Sequence, residues 1–236
     1  MPTWRQTLDL VRASRAGMPL GDLAVLKFDM LSPTPPGMNE RLRALGNAYL
    51  DVDMSALRAL PDGTVGREYA RHLDDKGLEP LVVSPAMKER FADKPYPLRY
   101  TSTHDLFHVL TGFSTTPAGE IGLLAFMIAQ GFAGGSRKRL WTSATAYILF
   151  GPLHARGILH NIQVGAAMGK KAKPLLEQPL EAYLAEPLDV VRKRLELPDP
   201  MSAGVAPGQD SAFVNWLMKW LVPKAQPNRT AALGAT

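Results

Sequence analysis

His104-Asp105-Leu106-Phe107-His108, followed after eleven residues by Glu120 and the apolar run Ile121-Gly122-Leu123-Leu124-Ala125-Phe126-Met127-Ile128, decides how this chain is read. Two histidines four apart stand one above the other on a helix face. Asp105 is rotated by about 100° from His104 but lies three residues before His108, near enough to join them. Gly112, Thr115, Thr116, Pro117 and Gly119 interrupt that helix. A second helix starting near Pro117 returns Glu120 toward the imidazoles. Two neutral imidazoles and one or two carboxylates form a borderline-hard divalent metal site, one that can keep an open coordination position. The plain alternative is a pair of hydrogen-bonded core histidines and a glutamate offsetting a helix dipole. Glu120 falls four residues after Thr116, one too many for a Thr-x-x-Glu capping box. The pattern also differs from the zinc-protease H-E-x-x-H, because the shorter arm of Asp105 suits a general base poorly.

Outward from this motif the apolar spacing is helical almost everywhere. Helices are expected at Trp4 to Ala16, Gly21 to Leu31, Asn39 to Tyr49, a short one capped by Asp53 or Ser55 and ending at Leu60, and Val65 to Asp75. Pro61-Asp62-Gly63-Thr64 is a turn. Leu81 to Pro97, with its four prolines counting Pro80, reads as a rigid connector into the motif helix, with Thr101, Ser102 or Thr103 as its cap. Further helices are expected at Glu120 to Gly131, Leu140 to Phe150, His154 to Ala172 and Pro179 to Arg194. Leu81-Val82-Val83 is the only strand candidate, so the fold class is all-α: a single-domain helical bundle with the metal site between two consecutive helices. Residues 1–200 form that domain. Residues 201–236 read as a linker, a short amphipathic helix with Phe213, Trp216, Leu217, Trp220 and Leu221 on one face, and a disordered tail. That face suits either a lipid interface or the core.

Composition narrows the function. Hydrophobic content of 46% and charged content of 21% over 236 residues are ordinary for a soluble globular chain. With no cysteine, disulfides, thiolate-bound zinc and thiol nucleophiles are excluded, so any metal is held by N and O ligands. The net charge of +5 suits an anionic membrane surface or acidic ligands. No nucleic-acid-binding signature accompanies it. The longest apolar run is too short to span a bilayer, and residues 1–20 lack the apolar region and cleavage site of a signal peptide.

The motif resembles that of the fourth coenzyme Q (ubiquinone) biosynthesis protein family, with His104-Asp105-x-x-His108, eleven residues and Glu120 in place. Pro61-Asp62-Gly63-Thr64-Val65-Gly66-Arg67-Glu68-Tyr69 is similar to that family's G-T-x-G-R-E-Y stretch, and Pro179 to Leu195 to its closing helix. The resemblance spans roughly residues 20–197. It implies an all-helical fold and a divalent metal, zinc first and iron or another divalent ion second, on His104, Asp105, His108 and Glu120. It also implies a prenylated quinone precursor or other isoprenoid lipid as ligand and other ubiquinone-biosynthesis proteins as partners. The implied chemistry is oxidative decarboxylation of a polyprenylated hydroxybenzoate-type ring, in which the C1 carboxylate leaves and a hydroxyl replaces it. The implied place is peripheral, on the inner face of the cytoplasmic membrane or the matrix face of the mitochondrial inner membrane. A homodimer is left open, and no catalytic base is assigned.

Other residues carry weaker expectations. Phe126, Met127, Phe132, Trp141 and Phe150 line a groove for an isoprenoid tail or simply fill the core. Gly131, Gly134, Gly135, Gly165 and Gly169 keep a channel open or let helices approach. Arg67, Arg71 and Arg137, the last in the run Arg137-Lys138-Arg139, are candidates for phosphate or lipid headgroups, and Glu68 could pair with Arg67 or support a metal-bound imidazole. Two competing functions remain: a non-catalytic prenyl-lipid scaffold, and an HD-type phosphohydrolase using His72, His104-Asp105 and Asp189.

Overall fold

The computed structural model describes residues 4–46, 49–132 and 137–208. Eleven α-helices occur among them: α1 (Trp4–Arg15), α2 (Leu20–Leu31), α3 (Met38–Ala44), α4 (Met54–Arg58), α5 (Val65–Asp74), α6 (Pro85–Arg90), α7 (Tyr96–Thr111), α8 (Pro117–Ala129), α9 (Arg137–Phe150), α10 (Ala155–Lys171) and α11 (Leu188–Arg194). No strand occurs among the described residues; one isolated bridge joins Thr64 and Pro187. The fold is all-α, as the sequence implies. The Trp-rich segment 211–236 lies outside the described residues, as do Gly134 and Gly135.

The motif helix α7 is the axis of the molecule. Leu106, Phe107 and Leu110 are wholly buried in the main core with Tyr69, Leu73, Phe126 and Val191. The helix begins at Tyr96, with Pro97 in its first turn, where a missing N–H costs nothing. Thr101, Ser102 and Thr103 are therefore interior residues and not caps. The Ser102 hydroxyl instead accepts from the Leu50 N–H at 2.9 Å, and the Thr103 hydroxyl donates to the Arg99 carbonyl at 2.7 Å. At the other end, Gly112 adopts φ +77°, and its N–H closes on the His108 carbonyl at 2.8 Å. The Arg192 guanidinium then donates to the carbonyls of Leu110 and Val109, each at 2.9 Å. The exposed carbonyls of the helix end are thus met by a side chain from α11.

Three other expected segments change shape. The helix read from Pro179 to Arg194 breaks into a 3-10 turn at Leu180–Tyr183 and α11, which starts only after Pro187. The helix read from Asn39 to Tyr49 stops at Ala44, because Gly46 turns into the left-handed region at φ +76°. The proline-rich connector is not uniformly extended. Pro85 opens α6, and the Ser84 hydroxyl caps it by accepting from the Met87 N–H at 3.2 Å. Asp22 on α2 accepts from both the N–H and the hydroxyl of Ser84, at 2.8 and 2.7 Å. That fastens α2 against α6.

The helices α8 and α10 lie along each other. A Cβ at Gly165 would sit 2.1 Å from the Gly122 carbonyl oxygen, and one at Gly169 would sit 2.4 Å from that of Phe126. These glycines exist to let the two helices touch. Residues 201–208, read from sequence as linker, lie against the same pair: Asn161 donates to the Ala206 carbonyl at 3.1 Å and accepts its N–H at 2.9 Å.

Candidate metal centre

The elements above bring both histidines of α7, the start of α8 and the end of α5 to one place. Gly112 stops α7, and Thr116 starts α8 by accepting the Gly119 N–H on its hydroxyl at 3.3 Å. The short turn between them also carries the Phe113 carbonyl, to which the His108 Nδ1–H donates at 2.8 Å. This bond fixes the tautomer. With its proton on Nδ1, His108 presents the lone pair of Nε2, and that atom is buried without a hydrogen-bond partner. An unpartnered buried acceptor is costly unless something binds it. Glu120 Oε1 stands 3.4 Å from the same Nε2.

His104, Asp105 and His108 each offer a ligand atom, and these atoms lie within 4.8 Å of one another. Two ligands on one zinc-sized ion at ~2.0–2.2 Å are at most about 4 Å apart, so small side-chain rotations close the set. The arrangement is a possible metal-binding triad. The donors are nitrogen and oxygen only, which fits a divalent ion of the zinc or iron type. One side is sealed and the other open: His108 is 1% exposed, whereas His104, Asp105 and Glu120 line a cavity of about 570 Å3.

The charges support one another. Burial pushes the Asp105 carboxyl up, but the His104 contact at 3.4 Å and the surrounding imidazoles outweigh it and hold the group below its ordinary range. Burial likewise raises Glu120, and His108 and His104 more than reverse this. Burial lowers His104, yet Asp105 and Glu120 leave it above its usual value. Carboxylates kept ionised beside imidazoles are what a divalent cation requires.

His72 is a member of this neighbourhood that spacing along the chain did not place beside His108. Its ring stacks on that of His108, with centroids 5.7 Å apart and planes 15° from parallel, and its Nε2 is buried without a partner. Burial and then the proximity of His108 hold its pKa below 6.5. An unfolded chain thus binds a proton here that the folded one refuses, so stability falls as pH drops through and below about 6.5. The His72→Phe protein is expected to lose less stability than the parent between pH 6.5 and 5, as read by urea denaturation at each pH. Identical slopes would show that His72 does not contribute.

The cavity is walled by α2, α7, α8 and α9: Ala24, Lys27, Phe28 and Leu31, then Tyr100, then Ile121, Leu124 and Met127, then Ser143 and Tyr147. Of the aromatic and methionine residues expected along a groove, only Met127 is among them. Phe126 and Phe132 are core, Trp141 is exposed, and the Phe150 side chain lies outside the described residues. Phe28 and Tyr100 stack nearly flat, centroids 3.6 Å apart at 9°, and form an aromatic wall.

The basic candidates do not reach it. Arg71 donates to Glu68 at 2.6 Å and to Asp62 at 2.7 Å, and Arg67 lies 3.3 Å from Asp62. Glu68 pairs with Arg71 and accepts the Gly63 N–H at 3.0 Å, so it braces the turn before α5 and not an imidazole. The Arg137 side chain lies outside the described residues. Asp189 is 70% exposed and paired with Lys193, apart from the histidines that an HD-type site would need.

Residues 47–201 match the family model of the coenzyme Q (ubiquinone) biosynthesis protein Coq4. The chain belongs to the Coq4 family. Among curated Coq4-family relatives, the mitochondrial ubiquinone biosynthesis protein COQ4 homolog of Nematostella vectensis is 33% identical over 157 residues, 62% of this chain and 71% of its own. The Danio rerio homolog is 29% identical over 203 residues, 83% of this chain and 72% of its own. A crystal structure from Nostoc punctiforme, of a protein assigned to ubiquinone biosynthesis, superposes with a TM-score of 0.56 at 23% identity, covering 80% of this chain and 94% of that one. That likeness supports the fold alone.

Proposed function

We propose that this chain acts in ubiquinone biosynthesis as a divalent-metal-dependent enzyme that exchanges the C1 carboxylate of a polyprenylated hydroxybenzoate-type ring for a hydroxyl, with dioxygen as the two-electron oxidant: the C1–carboxylate bond breaks, a C1–O bond forms, one water is consumed, and carbon dioxide and hydrogen peroxide leave. One observation carries this reading: the imidazole of His104 and the carboxylates of Asp105 and Glu120 open onto a cavity that also has an apolar wall of Ile121, Leu124 and Met127, while His108 closes the set from behind. His104, Asp105, His108 and Glu120 would hold the ion, zinc first and iron or another divalent ion second. Such an ion would supply Lewis acidity toward the ring carboxylate or phenolate and, if iron, a redox partner for dioxygen.

The chain's own residues do the rest. A volume of about 570 Å3 lies in the range of small-molecule sites, room for a ring and the beginning of an isoprenoid tail. Tyr100, stacked on the buried Phe28, lines the space for the ring, and Ile121, Leu124 and Met127 offer an apolar path to the tail. Burial, then the charge of Glu120, pushes the Tyr147 phenol up, so it stays protonated and able to donate a hydrogen bond at neutral pH. The remaining tail lies outside the cavity, against a membrane or a partner enzyme of the same pathway. No described helix is long and apolar enough to cross a membrane; attachment would be peripheral, on the matrix face of the mitochondrial inner membrane or the inner face of a cytoplasmic membrane, and the relatives' names read mitochondrial. Residues 1–200 would be the metal-binding unit, with residues 201–208 lying against α10.

A second reading, a prenyl-lipid scaffold without turnover, is favoured by Leu149 near the end of α9 and Leu153 in the turn that follows it, 76% and 90% exposed. The test is incubation of metal-replete protein with a prenylated hydroxybenzoate under dioxygen. Carbon dioxide release with ring hydroxylation is the expected result. Bound metal and bound acid without turnover, in the presence of its pathway partners, would leave the scaffold reading.

A further inference from the structure

Ala24, Lys27, Phe28 and Leu31 follow the i, i+3, i+4, i+7 spacing of one helix face, and all four line the cavity. This wall lies ahead of residues 47–201, the span of the Coq4 family model. Three of the four residues are apolar; Lys27 is not.

Lys27 differs from Arg41, Arg58, Arg71 and Arg194, each of which holds a carboxylate within 3 Å. Among the described residues the Lys27 ammonium has neither an ion pair nor a hydrogen bond. It is exposed, one residue from the Phe28 ring that forms the aromatic wall, and its charge is felt at His104 across the same cavity. The cavity thus carries two anion-seeking features if the ion is present: the ion itself and this free ammonium. Everything else in the wall of α2 is grease.

We infer that Lys27 is a specificity-determining residue of this cavity, its ammonium recognising the carboxylate of an aromatic acid whose ring lies against Phe28 and Tyr100. The inference rests on the proposed function for the kind of ring, and adds to it the residue that tells acid from product. A substrate carrying a ring carboxylate meets the ammonium; the phenol left after the carboxylate departs does not. Lys27 then contributes affinity to the acid and none to the product, which favours release. A charged partner of this sort is also screened by salt, so the preference for acid over phenol narrows as ionic strength rises.

The test is calorimetric titration of the zinc-loaded protein with 4-hydroxybenzoate bearing one geranyl chain, and with the matching geranylphenol that lacks the carboxylate. Replacing Lys27 by Met keeps the aliphatic stem at an exposed position, so folding is not at stake. The K27M protein is expected to bind the acid about tenfold more weakly and the phenol unchanged, with K27R retaining most of the acid affinity. Equal loss for acid and phenol would assign Lys27 to packing, and unchanged affinity for both would remove it from recognition; either overturns the inference while leaving the proposed function in place. Failure of the unsubstituted, zinc-loaded protein to bind the acid would overturn both.

Discussion

The His108→Ala protein is expected to emerge from a chelator-free purification without its divalent metal. His108 is the ligand that the fold prepares most completely. Its Nδ1–H is committed to the Phe113 carbonyl at 2.8 Å, its ring is 1% exposed, and its Nε2 is left with no hydrogen bond. Loss of a group that merely orients a ligand typically costs about 10–100-fold in metal affinity, so removing the ligand itself should cost at least about 100-fold. Truncating a buried ring also destabilises the fold, and Glu120→Gln separates the two effects. That substitution keeps the shape and removes the charge 3.4 Å from Nε2. Both variants should lose metal by mass spectrometry while Glu120→Gln keeps the parental circular dichroism. Full metal retention by both would exclude the site.

Replacement of Arg99 by Met is expected to lower the unfolding free energy by about 3–5 kcal/mol, among the largest losses available to a single substitution here. The guanidinium is completely buried. It donates to the Leu176 carbonyl at 3.3 Å, to the Gln178 carbonyl at 2.6 Å and to both oxygens of Glu181. Methionine fills much of the same volume but donates nothing, so two carbonyls and a carboxylate lose their partner together. Arg99 stands five residues before His104 on α7 and ties that helix to the segment 175–183, so the metal site should loosen with it. A urea midpoint shifted by less than the equivalent of about 1 kcal/mol would contradict this account of the core.

What the sequence disclosed and what it concealed divide along the range of the contacts. The pair His104 and His108 was legible because helical spacing alone sets them on one face, and the approach of Glu120 because Gly112 and Pro117 bracket so short a turn. The all-α fold followed from the same periodicity. His72 is a different case: only the packing of α5 on α7 lays it on His108. The cavity wall of α2 is more distant still, and Lys27 and Phe28 carry no local mark of facing a site. Arg67 and Arg71 show the converse. Their charge is visible in sequence, but not that Asp62 and Glu68 neutralise it. Helix ends were misplaced where one residue decided them, as Gly46 does for α3 and Pro97 for α7.

The most direct measurement is X-ray absorption at the metal edge of the purified protein, paired with metal content per chain. The account predicts one divalent ion per chain, bound by two imidazoles and by carboxylate oxygen, with a further light-atom ligand that exchanges when the aromatic acid is added. Protein free of metal after reconstitution, or an ion whose spectrum shows no imidazole, would contradict it.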